Sequence, residues 1–345
     1  MTANLVGARL EGDFVIESAR VPAPNATGSC RSTGYIARAK GGRQAFVKVL
    51  DTAVDREAPD PVADLKARVD AYYYERNLLT KTLERKMSRV VRAIASGEIA
   101  SPEGGNPIYY LLFELADGDL REHVELNRQF DLAYRLRVLH QAAIGLQQLH
   151  YSQIAHQDVK PSNIVTFERH GIKLADLGHA HDKAIPRPGK ERLIAGDPAY
   201  APPEQLYGYE ISDWATRRFS ADIYQLGSLA TFLFTGVGAT SLLGGQLRPE
   251  HHWDVWLGGR YSDILPHLIE ATEAVLDETA AATDASVRDE LMVLVRYLLD
   301  PNPESRGHPH NLDGAGAPFG LERFISRFNV LADRQEWTMK QRILR

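Results

Sequence analysis

The chain has 345 residues, of which 44% are hydrophobic, and its formal net charge is −5. This length is sufficient for two packed lobes, and the slightly acidic balance gives no indication of nucleic acid as a partner. The only cysteine, Cys30, excludes an internal disulfide bond and favours a cytoplasmic location. The chain opens without a signal-peptide pattern, and its longest apolar stretch, 223–234, is shorter than the ~20 residues of a membrane span. We therefore predict a buried helix there and no membrane partner.

Strand patterns dominate the N-terminal part of the chain. Residues 14–21, 35–39 and 44–50 are rich in β-branched and aromatic side chains and are predicted to be strands. The last two are joined by 40–43, whose paired glycines suit a tight hairpin turn. A near-continuous apolar run at 108–112 predicts a further strand.

A long helix is predicted between these strands. Asp60 and Pro61 are typical of a helix start, because aspartate caps the first turn and proline suits the first helical position. Glu75 falls on the apolar stripe of this helix, where an acid is costly unless a cation meets it. The alternative is a glutamate at the edge of the stripe that reaches water. The stripe consists of Leu65, Val69, Tyr72, Leu79 and Leu83.

Two further apolar stripes at helical spacing lie in the remaining chain. They consist of Leu136, Leu139, Ala143 and Leu146, and of Leu321, Phe324, Ile325, Phe328 and Leu331. Between them, the stretch 240–288 is rich in glycine and contains Trp253 and Trp256. We interpret this stretch as an insert whose tryptophans cover the core of its own lobe, with a docking surface as the alternative.

The segment 156–163, His-Gln-Asp-Val-Lys-Pro-Ser-Asn, is followed by Asp-Leu-Gly at 176–178. Phosphoryl transfer requires a carboxylate near the attacking hydroxyl and oxygen ligands that hold Mg2+ on the phosphates. Asp158, Asn163 and Asp176 supply these groups at a suitable spacing. The pattern therefore favours an ATP-dependent kinase.

These two segments resemble the catalytic loop and the D-F-G motif of protein kinases, each with one substitution. Residues 45–49 resemble the strand that carries the phosphate-binding lysine, and 196–204 resemble the end of the activation segment. Residues 222–227 resemble the start of the central helix of the large lobe, and 300–306 the place of an arginine that pairs with Glu204. Because the matches occur in the family's order, coincidence is an inadequate explanation.

The resemblance is to bacterial, eukaryotic-like (Hanks-type) serine/threonine kinases, with a catalytic loop that has glutamine in place of arginine. It implies an α+β, bilobal fold with a small antiparallel β-sheet lobe and a larger, mainly helical lobe. The small lobe would comprise 1–115 and the large lobe 116–310. Residues 311–345 would be a helical extension packed on the large lobe.

The resemblance also implies roles for residues of the catalytic loop. Asp158 would be the general base or would orient the acceptor hydroxyl, and Lys160 would steady the γ-phosphate. Asn163 and Asp176 would hold Mg2+. Together, Asp158, Lys160 and Asn163 are the predicted catalytic residues.

ATP binding is implied for residues on both sides of the catalytic loop in the sequence. Lys48 would hold the α- and β-phosphates and would pair with Glu75, with Glu84 as the rival partner. Residues 113–116 resemble the segment that lines the adenine pocket. The predicted ATP-binding residues are Gly28, Arg31, Gly34, Ile36, Lys48, Glu75, Glu114, Ala116 and Asp176.

The sequence departs from the family pattern at several places that concern ATP binding and regulation. Ser29 and Arg31 stand where the first two glycines of the phosphate loop are expected, which raises the possibility that Arg31 contacts phosphate. Gln157 replaces the arginine that reads a phosphate on the activation segment. Between 177 and 203 there is no serine or threonine, and Tyr200 is the only hydroxyl. Asp197 stands in the place of a threonine.

Gln157 and the absence of serine and threonine together predict an activation segment that is ordered without phosphorylation, because the chain has neither an acceptor in this segment nor the arginine that would receive a phosphate. The predicted function is a Mg2+- and ATP-dependent kinase that transfers phosphate to serine or threonine of a protein substrate. The alternatives are a pseudokinase that senses nucleotide or acts as a scaffold, and a kinase for a small molecule. The sequence does not determine the oligomeric state.

Overall fold

The computed structural model describes residues 4–20, 32–52, 59–101, 104, 106–122, 131–189 and 192–343. The chain divides into two compact units, Met1–Asp117 with Pro186–Lys190 and Gly118–Ile185 with Glu191–Arg345. The division after Asp117 lies close to the lobe boundary that was predicted after residue 115. The C-terminal segment that was predicted as an extension belongs to the second unit.

Within the described residues, the first unit contains a five-stranded antiparallel sheet in the order β1-β2-β3-β5-β4. Its strands are β1 (Phe14–Ala19), β2 (Ser32–Ala39), β3 (Gln44–Leu50), β4 (Ala93–Ile99) and β5 (Ile108–Glu114). The small antiparallel sheet predicted from the sequence is therefore confirmed. Strand β4 was not predicted, because its sequence, with alanine, serine and glycine at its centre, has weak strand propensity.

The β2–β3 hairpin closes through the predicted glycine turn. Gly42 has a φ of 83°, a left-handed conformation that glycine adopts without steric cost. Its N–H donates to the carbonyl of Ala39 at 2.9 Å, and the N–H of Ala39 donates to Arg43 at 2.9 Å. The turn fixes the register in which Gly34 lies opposite Lys48.

The two faces of the hairpin differ in burial because side chains alternate along a strand. Ala45, Val47 and Val49 of β3 point into the core and are almost fully buried. Tyr35 and Ala37 of β2 lie on the same face. The opposite face therefore carries the remaining residues of both strands, including Lys48.

Helix α1 (Pro61–Glu84) begins where the sequence predicted. Asp60 caps it by accepting a hydrogen bond from the N–H of Ala63 at 3.0 Å. Tyr72, Glu75 and Leu79 are buried. The assignment of Leu83 to the apolar stripe was wrong, because this side chain is 49% exposed and the buried face ends at Thr82, about 100° away around the helix.

The second unit is mainly helical. Its helices are α2 (Leu132–Tyr151), α3 (Pro203–Leu206), α4 (Trp214–Thr235), α5 (Ala239–Gln246), α6 (Tyr261–Ala281), α7 (Arg288–Leu299) and α8 (Glu322–Ile343). Its short strands are β6 (Gly118–Asp119), β7 (Ile154–Ala155), β8 (Ile164–Phe167), β9 (Gly171–Leu174) and β10 (His181–Asp182). They form the sheets β6-β8-β9 and β10-β7.

The predicted buried helix over 223–234 forms most of α4, whose residues from Arg218 to Thr231 are all buried. In the described part of the chain, no single helix is long and apolar enough to cross a membrane. Helices α4 and α5 together have the length and composition that the test requires, but the pair is bent by 83°.

The C-terminal helix α8 packs against α2. Phe324 and Phe328 of its predicted apolar stripe are fully buried. Arg137 of α2 donates to Asp333 and to Glu336 of α8, each at 2.7 Å. Buried apolar side chains thus hold the helix in place, and the ion pairs of Arg137 lie at the edge of this apolar contact.

The predicted insert contains α5, a connecting segment with a short 3-10 helix (Pro249–His251), and α6. Trp253 and Trp256 both meet the ring of Tyr207 edge to face, with centroids 6.3 Å apart. Trp253 also packs on Gly244, where a Cβ atom would lie 2.8 Å from its ring. These contacts agree with tryptophans that cover their own lobe.

Candidate active site

The first unit contains the predicted lysine–glutamate pair. Lys48 Nζ donates to both carboxylate oxygens of Glu75, each at 3.0 Å. The Glu75 side chain is 8% exposed and that of Lys48 21%, so solvent screens the pair only in part. The pair explains how an acid can occupy the buried face of α1. Glu84, the rival partner, lies at the last residue of that helix. The phosphate-binding role of Lys48 stays a prediction.

Several predicted ATP-binding residues share one face of the sheet. Gly34 lies opposite Lys48, and Ile36 lies opposite Phe46. Residues that are directly opposite in an antiparallel pair project from the same face. A Cβ atom on Gly34 would lie 2.9 Å from the Phe46 ring, so glycine is required there for packing. Gly28 and Arg31, together with the substituted part of the phosphate loop, lie outside the described residues.

Glu114 ends β5, and Ala116 follows in the short segment before the second unit. Glu114 lies opposite Ala45, on the core face of the sheet. Its Oε1 accepts a hydrogen bond from the N–H of Arg92 at 2.8 Å. The main-chain N–H of Glu114 also donates to Arg92 O, at 3.1 Å, so the protein engages both this N–H and one carboxylate oxygen.

In the second unit, α4 anchors the backbone of the catalytic loop. Asp222 Oδ2 accepts from the N–H of His156 at 2.8 Å, and its Oδ1 accepts from the N–H of Gln157 at 2.7 Å. Gln225, one turn further along α4, accepts from the N–H of Val159 at 2.9 Å. Arg218, Asp222 and Gln225 follow the i, i+4, i+7 pattern of one helix face. This face fixes the loop that carries Asp158.

Gln157 is integrated into the same contacts. Its φ of 66° is left-handed, which costs a non-glycine residue about 1–3 kcal/mol. Its side chain offsets this cost by donating to Arg218 O at 2.8 Å and to Asp222 Oδ1 at 2.9 Å. Arg218 Nη1 donates back to Gln157 Oε1 at 2.9 Å. The glutamine is therefore a buried tether of the loop to α4.

The carboxyl group of Asp222 is fully buried. Burial by itself would raise the pKa of this carboxyl. The hydrogen bond from His150, the charges of His150 and His156, and the N–H of Gln157 outweigh burial and hold the pKa of Asp222 below its ordinary value. In the sequence, Asp222 was recognised only as part of the motif at 222–227, and no pattern indicated that His150 would contact it.

The carboxylate of Asp158 is held by three donors. Oδ1 accepts from the N–H of Asp197 at 2.9 Å, and Oδ2 accepts from Asn163 Nδ2 at 2.9 Å. Lys160 Nζ lies 3.2 Å from the same Oδ2. Donors to a carboxylate fix its orientation. The structure thus brings together Asp158, Lys160 and Asn163, the residues that were predicted to be catalytic.

Asp197, the substitution for threonine, shares Lys160 with Asp158. Lys160 Nζ lies 3.2 Å from Asp197 Oδ2 as well as 3.2 Å from Asp158 Oδ2. Asp197 Oδ1 accepts from the N–H of Ala199 at 3.0 Å. The ammonium group therefore screens two carboxylates that would otherwise repel each other. Two negative charges and one positive charge meet at this point.

Gly196 permits the close approach of the activation segment to the catalytic loop. A Cβ atom at this position would lie 2.4 Å from Gln157 O and 2.6 Å from Asp158 Oδ1. Both distances are too short for any side chain. Glycine at 196 is thus a requirement of the contact between Asp197 N and Asp158, which sequence reasoning did not identify.

The β8–β9 hairpin places the two predicted Mg2+ ligands at one end. Ile164 lies opposite Leu174, and the N–H of Ala175 donates to Asn163 O at 2.8 Å. Asp176 follows directly, with a left-handed φ of 61°. Because Asn163 Nδ2 donates to Asp158, the side-chain oxygen of Asn163 is the atom left for a metal. A carboxylate and an amide oxygen fit Mg2+, which takes oxygen ligands and keeps several waters.

The end of the activation segment is anchored by the ion pair that the resemblance implied. Arg306 donates to Glu204 through Nη1 at 2.8 Å and through Nη2 at 2.7 Å. Both side chains are almost completely buried. Burial would lower the pKa of Arg306, but Glu204 raises it above its ordinary value. The pair is therefore charged and bidentate.

The sheet with its lysine–glutamate pair, and the helical unit with its anchored Asp158 loop and Glu204–Arg306 pair, define a protein of the protein-kinase class. The family model "Protein kinase domain" matches residues 37–312. The chain belongs to this family, and the predicted α+β fold is confirmed.

Curated relatives agree with the family assignment. The chain is 28% identical over 218 residues to a probable serine/threonine-protein kinase of Dictyostelium discoideum, covering 62% of this chain and 46% of the relative. It is 32% identical over 130 residues to an Aurora kinase of Debaryomyces hansenii, covering 37% and 30%. A probable LRR receptor-like serine/threonine-protein kinase of Arabidopsis thaliana is 30% identical over 158 residues, with 43% and 17% covered. The chain thus spans less than half the length of these relatives.

Proposed function

We propose that this protein is an ATP- and Mg2+-dependent kinase that phosphorylates serine or threonine of a protein substrate. The observation that carries the proposal is the carboxylate of Asp158, which is oriented by Asp197 N and Asn163 Nδ2 beside the ammonium of Lys160. A pseudokinase would have no need of this arrangement. The names of the relatives and the lysine at position 160 support serine or threonine as the acceptor.

Asp158 accepts the proton of the substrate hydroxyl or orients that hydroxyl for attack. Its three donors fix the direction of its remaining lone pairs, so that little reorganisation is needed when the substrate binds. The ammonium group of Lys160 offsets negative charge on the transferred phosphate. The left-handed backbone of Gln157 and the hydrogen bonds of its side chain to α4 fix the position of the neighbouring Asp158.

Asn163 and Asp176 are the residues that would hold Mg2+, and the metal supplies neutralisation of phosphate charge when it is bound. Asp176 Oδ1 accepts from the N–H of Gly178 at 3.1 Å, which orients its carboxylate. Lys48, oriented by Glu75, would hold the phosphates of ATP.

The proposal includes activity without phosphorylation of the activation segment. Gln157 is only 2% exposed and is occupied by α4, so this position offers no cation to a phosphate. Tyr200 is the only hydroxyl of the segment. Burial, and after it the charge of Asp197, raise the pKa of Tyr200 to about 12. Its ring also packs on Gly238, where a Cβ atom would lie 3.0 Å away, which supports a structural role.

The test is transfer of labelled phosphate from Mg-ATP to an acceptor protein and to the protein itself. Asp158→Asn preserves the size of the side chain but removes its charge, and we expect a rate loss of about 100-fold or more. Label on serine or threonine that disappears in the variant supports the proposal. Nucleotide binding without transfer in either protein would instead indicate a pseudokinase, and label found only on an added metabolite would indicate a small-molecule kinase.

Activation-segment control requires a separate measurement on protein that has been treated with a phosphatase. We expect full activity after the treatment, and no phosphate on residues 177–203 in the mass spectrum of the untreated protein. A phosphate on this segment whose removal lowers the rate would contradict this part of the proposal.

A further inference from the structure

A cavity of about 950 Å3 lies in the second unit, apart from the residues of the candidate active site. Its walls are α7, the segment that includes His308 and Asn311, and the first turns of α8. Ligand cavities for organic molecules have volumes of roughly 300–1,000 Å3. The space is therefore suited to a molecule larger than a single inorganic ion.

One face of α8 supplies cations to this cavity. Arg323, Ser326 and Arg327 line it at successive turns of the helix. Two arginines at the i, i+4 spacing repel each other and weaken a helix by about 0.2–0.5 kcal/mol. Arg323 Nε donates to Asn311 Oδ1 at 3.1 Å. Among the described residues, Arg327 makes no hydrogen bond or ion pair, and its side chain is exposed.

The carboxylates that line the cavity are already engaged by other groups. Glu290 lies 2.7 Å from Arg334 Nη2, and Glu322 accepts from the hydroxyl of Tyr151 at 2.7 Å. Neither forms a hydrogen bond or an ion pair with Arg323 or Arg327. The charge of Glu322 still acts on the neighbouring Arg323, whereas no carboxylate among the described residues contacts Arg327.

His308 adds a neutral donor to the same wall. Its Nδ1 accepts from the N–H of His310 at 3.3 Å, which places the ring proton on Nε2. Burial lowers the pKa of His308, and the charges of Arg323, His310 and Arg327 lower it further. All the charges that act on His308 are thus cationic, as expected for a site with positive potential.

Part of the cavity lining is apolar. It consists of Val293, Leu294 and Tyr297 of α7, together with Leu331 of α8. Tyr297 also meets the ring of His308 edge to face, with centroids 5.5 Å apart. An apolar or aromatic body could lie along this part of the lining while a charged group contacts the arginines.

We propose that this cavity binds a small organic phosphate monoester. Arg323 and Arg327 contact its phosphate, and α7 contacts its apolar or aromatic body. Two guanidinium groups match the double charge of a phosphate monoester, and arginine forms bidentate hydrogen bonds with phosphate oxygens. The site is independent of the proposed kinase activity, since it uses none of the residues assigned to phosphate transfer.

The test is calorimetric titration of the full chain with phenyl phosphate, which combines a dianionic phosphate with an aromatic body. Inorganic phosphate and benzyl alcohol are the matched half-ligands. We expect phenyl phosphate to bind at least tenfold more tightly than either. Equal binding of inorganic phosphate, or no binding of phenyl phosphate, would overturn the proposal.

A pair of variants on α8 assigns the binding to the cavity. Arg327→Gln removes one exposed cation from the cavity, and Lys340→Gln removes one exposed cation from the same helix outside it. Both variants should unfold at the temperature of the wild type. We expect Arg327→Gln to weaken binding of phenyl phosphate about tenfold, as for the loss of one charge-assisted contact, and Lys340→Gln to leave it unchanged. Equal affinity in the two variants would place the ligand elsewhere and refute the site.

Discussion

Two buried groups of charges in the second unit are built differently. Glu204 and Arg306 form a one-to-one, bidentate pair with contacts of 2.8 and 2.7 Å, and both are almost fully enclosed. Asp158 and Asp197 instead share one cation, Lys160, at 3.2 Å each. The first pair has its charges balanced, whereas the second group keeps an excess of negative charge.

The difference separates stability from reactivity. A balanced buried pair has no capacity for another charge, and its loss leaves an uncompensated ion in the interior. An unbalanced group can still take up a proton or a further cation, which is what the proposed role of Asp158 as a general base beside a metal site requires. The comparison therefore predicts that changes at Arg306 act mainly on folding and that changes near Asp158 act mainly on rate.

The largest expected effect is on the balanced pair. Arg306→Met removes the cation and leaves Glu204 buried and unpaired, so the free energy of unfolding should fall by about 3–5 kcal/mol. Denaturant unfolding measures this change. The double variant Glu204→Gln with Arg306→Met removes both charges and should recover part of the loss. If the double variant is less stable than Arg306→Met alone, the unpaired charge is not the cause.

Gly196→Ala tests the closeness of the activation segment to the catalytic loop. Because the added Cβ atom would overlap Gln157 O and Asp158 Oδ1, the segment must move away and Asp158 loses its donor from Asp197. A displacement of about 1 Å near reacting groups costs about 100-fold in rate. We expect this loss in kcat, with native circular dichroism. Gly245→Ala is the control, because no atom lies within 4 Å of its added Cβ.

A smaller effect is expected from the carboxylate that replaces threonine. Asp197→Ala removes the contact with Lys160 and the cap on Ala199, and it should lower kcat about tenfold, as for one hydrogen bond to a charged group. Asp197→Thr restores a hydroxyl acceptor and should have a rate close to that of the wild type. Both variants keep the main-chain donor to Asp158. Equal rates in all three proteins would remove this side chain from the site.

The smallest effect is expected at the charged contacts between α2 and α8. Asp333 is 59% exposed on its side chain, and solvent screens its contact with Arg137. Asp333→Asn should therefore change the free energy of unfolding by about 1 kcal/mol or less. The change should also become smaller at high salt. A loss as large as that of Arg306→Met would show that exposure is a poor guide to the value of these contacts.

Local signals in the sequence predicted much of the fold. The start of α1 at Asp60 and Pro61, the turn at Gly42 and the strand at 44–50 each depend on a few neighbouring residues, and the structure confirms them. Strand β4 was missed because its residues have little strand propensity. Its antiparallel pairing with β5 stabilises it in the folded protein. Leu83 was placed wrongly because helical spacing was continued one turn too far.

For the candidate site, the sequence by itself determined which side chains are present and their order: Lys48, Asp158, Lys160, Asn163 and Asp176. It also determined that the activation segment contains no serine or threonine. These facts follow from residue types at short spacings, which is the scale on which motifs operate.

Only the tertiary structure decided how these groups are held. The sharing of Lys160 by two carboxylates, the approach of Gly196 to the loop, and the tether of Gln157 to Asp222 join residues that lie 37 to 65 positions apart. The positive wall at His308 likewise depends on the packing of α8 beside the preceding segment. Such contacts are set by the path of the chain through the core, and no local spacing encodes them.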